Sequence, residues 1–303
     1  MVYTLFIQAV IMFLLAGIGY IMFKTGKITN EGSKTIGNIL IFLSLPCVMI
    51  NGIVHERTPE TMMGLLLSAL FAAILLILSM IVSKVFFKSD AIAVFSTSFA
   101  NPGFFGVPLI IGSLSSDAVF FITAFIVFLN ILQFTYGVFI MTLDKKNISL
   151  KNIIKAPAII AMLIGLFFFF TGIKIPKIPA SIIENIANLN TPLAMFTIGV
   201  YMAQTDIKKM FLNKKNYFIS FARLIVIPVL SIFVLFLLPD KYMDMRYALM
   251  IAAACPVGAN VAVYAQIHNK DYAYAVEGVV ISTIFSIVTI PAVIYLAEIL
   301  WKI

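Results

Sequence analysis

The 303-residue chain is 62% hydrophobic and 11% charged, with a mean hydropathy of +1.09. A soluble domain carries about a quarter of its residues as charges, so this composition excludes a water-soluble globular protein and indicates an integral membrane protein. The formal net charge of +8 does not indicate nucleic acid: the basic residues fall between apolar segments, where they orient the chain and meet anionic membrane lipid.

A helix needs about 20 apolar residues to cross a bilayer. The sequence predicts ten such spans with short connections, over residues 3–23, 34–54, 62–87, 91–112, 117–142, 156–174, 182–205, 216–238, 245–267 and 272–300. The fold class is therefore an all-α membrane protein. The first apolar run starts at Val2 and is full length, so it reads as a span and not as a cleaved leader. The second span holds Leu43-Ser44-Leu45-Pro46-Cys47-Val48-Met49-Ile50. The fourth is interrupted by Phe99-Ala100-Asn101-Pro102-Gly103-Phe104-Phe105-Gly106-Val107-Pro108. The fifth carries Asn130 and Tyr136, and a short basic connection around 143–155 follows it. The seventh holds Leu189-Asn190-Thr191-Pro192-Leu193-Ala194-Met195-Phe196, which repeats the Leu-x-x-Pro-apolar-apolar-Met-apolar order of the second. The eighth contains Arg223 and Pro228, and the tenth contains Glu277 and Pro291; both prolines read as helix kinks. The ninth is interrupted by Ala254-Cys255-Pro256-Val257-Gly258-Ala259-Asn260.

Lys and Arg divide unevenly between the two sets of connections: 14 lie on the odd-numbered ones, against 6 on the even-numbered ones and the C-terminal tail. Positive charge prefers the cytoplasmic side. Both termini are therefore expected outside the cell membrane, with an even number of spans. Ten spans divide into halves at 1–150 and 151–303, and five per half inverts the second half relative to the first. Inverted-topology repeats result, and paired helix breaks in corresponding positions of the two halves point to a binding site.

Interrupted backbone at membrane depth persists only where protein or a wet cavity satisfies it. Proline, glycine and asparagine occur together in both breaks, so the fourth and ninth spans are expected to unwind there. Helices that restart after Pro102 and Pro256 present unpaired N–H groups and about half a positive charge each. Meeting from opposite sides, they form an anion site without a formal charge. Candidate residues are Asn101, Pro102, Gly103 and Phe104 from the first break, and Pro256, Val257, Gly258 and Asn260 from the second. Phe104, Phe105 and Tyr264 either line the pocket or serve as packing. Ser44 and Thr191, beside the paired prolines, either touch the solute or bond the helix backbone. Tyr136 is a further candidate. Arg223 and Glu277 lie at similar depth and are candidate partners for each other, with Glu277 a candidate proton carrier if unpaired. Cys47 and Cys255 read as free thiols, and His55 and His268 are too far apart to suggest a metal pair. No cofactor is implied, and no enzyme motif such as His-Glu-x-x-His is present.

The ordered set of motifs resembles the auxin efflux carrier family. Its pieces are Phe42-Leu43-Ser44-Leu45-Pro46, Asn101-x-Gly103-Phe104-x-Gly106-x-Pro108, Pro157 through Gly165, Thr191 through Gly199, and Ile281 through Pro291. The resemblance implies the fold of the bile-acid symporters: a scaffold domain from spans 1, 2, 6 and 7, and a transport domain from the other six, with spans 4 and 9 crossing at its centre. It also implies carriage of small organic anions, such as auxin, malate or malonate, by elevator-like movement, and Asn101 matches the family asparagine of the first crossover. The long hydrophilic loop of many plant members is absent. Two other readings stay open, a sodium-coupled symporter and an anion sensor that moves nothing, as does pairing into a homodimer through the scaffold.

Overall fold

The computed structural model describes residues 1–144, 146 and 148–301. Among them regular structure is entirely helical, apart from one antiparallel bridge between Ala100 and Val257. In chain order the helices are α1 (Val2–Lys24), α2 (Asn30–Ile53), α3 (Pro59–Phe87), α4 (Ala91–Ser98), α5 (Pro102–Ser113), α6 (Asp117–Thr142) and a short α7 (Leu150–Ile154). There follow α8 (Pro157–Thr171), α9 (Lys177–Ala187), α10 (Asn190–Gln204), α11 (Ile207–Leu212), α12 (Lys214–Leu235), α13 (Met243–Ala254), α14 (Asn260–Ile267) and α15 (Tyr272–Trp301).

Six of these, α1, α2, α3, α6, α12 and α15, are each long and apolar enough to cross a bilayer. The other four expected spans are built differently. The fourth and ninth divide at the anticipated breaks, into α4 with α5 and α13 with α14. The sixth is the 15-residue α8. The seventh, expected as one helix over 182–205, divides at 188–189 into α9 and α10.

Prolines shape the long helices through wide turns. A helical proline lacks an N–H and clashes with the carbonyl four residues back. At Pro46, Pro108 and Pro228 the preceding turn is π-helical, over Leu40–Ser44, Pro102–Gly106 and Ala222–Val226. The residue before each proline donates five residues back: Leu45 to Leu40, Val107 to Pro102 and Ile227 to Ala222. The wider turn makes room for the ring, so the helix continues past each of these prolines. A fourth such turn, Gln133–Gly137, has no proline after it. Pro291 sits inside the unbroken α15.

The helices pack in two groups. In one, α1 runs along α10 while α2 packs on α8 and α9. At the α1–α10 seam a Cβ on Gly19 would lie 2.7 Å from the backbone of Phe196, and one on Gly199 would collide with the carbonyl of Ala16. Such close approach maximises dispersion between helices where lipid removes the hydrophobic drive to associate. In the other group α3 packs on α4, α6 and α12, and α15 packs on α12 and α14. The groups meet where α1 touches α5 and α15, and where α2 and α8 touch α6. Most of the buried apolar residues form one continuous core across both. Cys47 and Cys255 are both free and buried, Cys255 within that core.

Candidate functional site

Two interrupted helices meet back to back. Asn101 N–H donates to Pro256 O at 2.9 Å, and Gly258 N–H donates to Phe99 O at 2.9 Å. This two-bond bridge satisfies backbone that neither helix can bond internally. A Cβ on Gly258 would stand 2.7 Å from Ala100 O, so the strands touch only because residue 258 is glycine. Val257 N–H is taken by Ser282 Oγ on α15 at 3.1 Å.

The bridge sorts four helix ends into two poles. The C-terminal ends of α4 and α13 converge on the buried guanidinium of Arg223. Its Nε donates to Cys255 O at 3.0 Å, its Nη1 to Thr97 O at 3.1 Å, and its Nη2 to Ala253 O. The N-terminal ends of α5 and α14 converge on a small cavity of about 70 Å³. Asn101, Pro102, Gly103, Phe104, Gly258 and Asn260 line it, with Asn130 of α6, Leu45 of α2 and Pro157 of α8 closing its far wall.

Asn101 has two faces. Its Oδ1 accepts from Phe104 N–H at 3.3 Å and caps α5. Its Nδ2 is buried with no hydrogen-bond partner. An unpaired buried donor is costly, and here it stands at a cavity whose dipoles favour negative charge. Asn260 Nδ2 donates to Gln133 Oε1 at 2.9 Å, which leaves the buried Gln133 Nε2 as a second donor without a partner. Asn190 Nδ2 donates to Gly103 O at 3.3 Å and ties α10 to the start of α5.

The remaining candidates divide. Pro256 and Val257 are buried in the bridge but do not line the cavity. Ser44 Oγ donates to Ile186 O at 3.0 Å and so joins α2 to α9. Thr191 and Tyr136 are half-buried and stand outside the cavity lining. Phe105 is buried, and the Tyr264 ring lies tilted against Phe95 at 5.0 Å between ring centres; neither lines the cavity. The expected pairing of Arg223 with Glu277 is not formed. Arg223 is consumed by backbone carbonyls. Glu277 Oε2 instead accepts from Asn213 Nδ2 at 3.1 Å and Asn216 Nδ2 at 3.0 Å. Gln133, Asn190 and Ser282 escaped the sequence reading. For Asn190 its place beside Thr191-Pro192 was an available signal; a glutamine or serine inside a helix carries none.

Larger recesses exist elsewhere. One of about 370 Å³ is lined by Glu60, Asp117 and Asp244 together with His55 and Lys241. Another of about 350 Å³ is lined by Asp117 and Glu184. Their carboxylates have the wrong sign for an anion. The bridge cavity is the smaller space, but it has converging donors.

A family model described as membrane transport protein matches residues 4–294. The chain belongs to that family. It is the auxin efflux carrier group that the motifs resemble. Across 297 residues the chain is 23% identical to the uncharacterized transporter MJ1031 of Methanocaldococcus jannaschii, covering 92% of this chain and 94% of that one. Membership in the family makes this protein a membrane transporter and not an enzyme.

Proposed function

We propose that the protein is a secondary carrier of small organic anions, which it holds at the N-terminal pole of the crossed helices. The observation that carries this reading is the buried, unpartnered Nδ2 of Asn101 at a cavity where two helix starts converge. A carboxylate placed there would accept from Asn101 and gain the favourable end of two helix dipoles. The site has no Lys or Arg in its lining, so it attracts an anion without holding it by a permanent charge.

The same reading takes the chain as ten spans in two inverted halves, 1–150 and 151–303. The group containing α1, α2, α8, α9 and α10 serves as scaffold, and the group containing α3 to α6 and α12 to α15 serves as the moving unit. The packing supports this division, because the cavity wall lies where the groups meet. Ligand pockets usually hold ~300 Å³ or more, whereas this cavity holds about 70 Å³. Solute therefore enters only when the groups separate, as elevator-like movement provides. The excess of Lys and Arg on one set of connections supports placement in the cell membrane with both termini outside.

The test is flux into proteoliposomes of labelled auxin, malate and malonate, with and without sodium and pH gradients. Saturable flux of one of these anions is expected. Tight binding with no flux would replace the carrier by a sensor, and neither binding nor flux of any carboxylate would remove the anion assignment.

A further inference from the structure

Among the described residues two charged side chains are buried, Arg223 and Arg246. Arg246 has Asp240 Oδ1 at 3.3 Å from Nη1. Arg223 is 1% exposed and has no carboxylate at ion-pair distance among the described residues. A lone charge at this depth is costly, so something else must offset it.

The carbonyls around Arg223 supply the offset. Thr97 O belongs to the last turn of α4, Ala253 O to the last turn of α13, and Cys255 O to the residue just beyond α13. Each helix C-terminus carries about half a negative charge. Two of them present about one unit together, which equals the guanidinium in size and opposes it in sign. The planar fork of arginine can serve several acceptors at once, which an ammonium on a flexible stem does less well. In carriers with discontinuous helices, such C-terminal carbonyls are where a coupling sodium ion binds.

We propose that Arg223 is the resident cation of the crossed helices: its guanidinium holds the seat at the two C-terminal ends that an external cation would otherwise fill. Resting on the carrier reading above, this assigns the two poles opposite duties. The C-terminal pole is permanently neutralised by a side chain of the protein, and the N-terminal pole stays free for solute. Removing the guanidinium would leave Thr97, Ala253 and Cys255 with an unfilled cage of carbonyls. That cage would accept a free guanidinium ion.

The experiment compares purified wild type with Arg223→Ala in buffer, in millimolar guanidinium chloride, and in the same concentration of urea, a neutral molecule of similar shape. Thermal unfolding is read first. Arg223→Ala is expected to melt well below wild type, to regain most of the loss in guanidinium, and to regain none in urea. In proteoliposomes its anion flux is expected to fall by about a hundredfold, the scale of a misplaced site, and to recover in guanidinium. Equal effects of guanidinium and urea would overturn the proposal, as would wild-type melting of Arg223→Ala. Wild-type flux is expected to be the same when choline replaces sodium; strict sodium dependence would also overturn it. If Arg223→Ala does not fold, Arg223→Lys and Arg223→Gln decide the matter. The lysine variant is expected to be the more stable, and equal stability of the charged and neutral variants would sink the assignment. Failure here is separable from failure of the carrier reading. Guanidinium rescue of melting without any anion flux removes only the carrier, whereas anion flux without guanidinium rescue removes only the resident cation.

Discussion

Asn101 serves structure with one atom and solute with the other. Its Oδ1 caps α5 and its Nδ2 is unpaired. Two substitutions separate these roles. Asn101→Ala loses both, so it is expected to lower stability by about 1 kcal/mol through the lost cap. It is also expected to weaken anion binding about ten- to a hundredfold, the worth of a hydrogen bond to a charged group. Asn101→Asp keeps an oxygen to cap α5 but replaces the donor by a negative charge. It is expected to melt near wild type and bind no anion in isothermal titration. Anion binding at wild-type strength in both variants would take Asn101 out of the site. Glu277 is a second residue whose role is set by its partners. It is half-buried and latches α15 to the α11–α12 corner through Asn213 and Asn216. Glu277→Ala leaves the Asn213 amide without an acceptor and Asn216 with Met210 O alone, and is expected to cost about 1–3 kcal/mol. Glu277→Gln keeps an acceptor oxygen and is expected to retain most of the melting temperature.

At the scale of elements, the bridge depends on a missing side chain. Gly258→Ala would push a methyl group into Ala100 O, 2.7 Å from its ideal position. Backbone on both sides would have to shift, at a cost of about 1–3 kcal/mol, and the variant is expected to melt lower and to lose flux. A conservative change at an exposed position of α14, such as Val263→Ala at a residue 45% exposed, is expected to change neither. The two breaks were legible in the sequence because proline, glycine and asparagine all occur together there. The long helices were equally legible from apolar run length. Three things were not. The turn at 188–189 divides the seventh segment without a glycine or proline of its own. The π-helical turns before Pro46, Pro108 and Pro228 repair what the prolines disrupt, and a wider turn leaves no mark in composition. The partner of Arg223 could not be read because backbone carbonyls have no letter in the sequence; the search for a carboxylate led to Glu277, the wrong residue.

For the whole molecule, orientation in the membrane is open to direct measurement. Both native cysteines are buried, so single introduced cysteines give a clean signal. Ile173→Cys, in the exposed turn between α8 and α9, is expected to react with an impermeant maleimide in intact cells. Asn269→Cys, on an odd-numbered connection, is expected to react only after permeabilisation. The reverse pattern would invert the molecule. The lone buried guanidinium has an electrical consequence once the bridge and its solute travel as one body. That unit also carries Glu277 of α15, of opposite sign and held only by neutral amides, so with both ionised the empty unit nets zero. The empty return then does not feel the membrane voltage, and each cargo charge biases the loaded stroke by about 2.3 kcal/mol per 100 mV if it traverses the whole field. Transient currents recorded after voltage jumps, with a mono- and a dicarboxylate in turn, would reveal whether voltage acts on the loaded stroke alone and scales with the charge it carries.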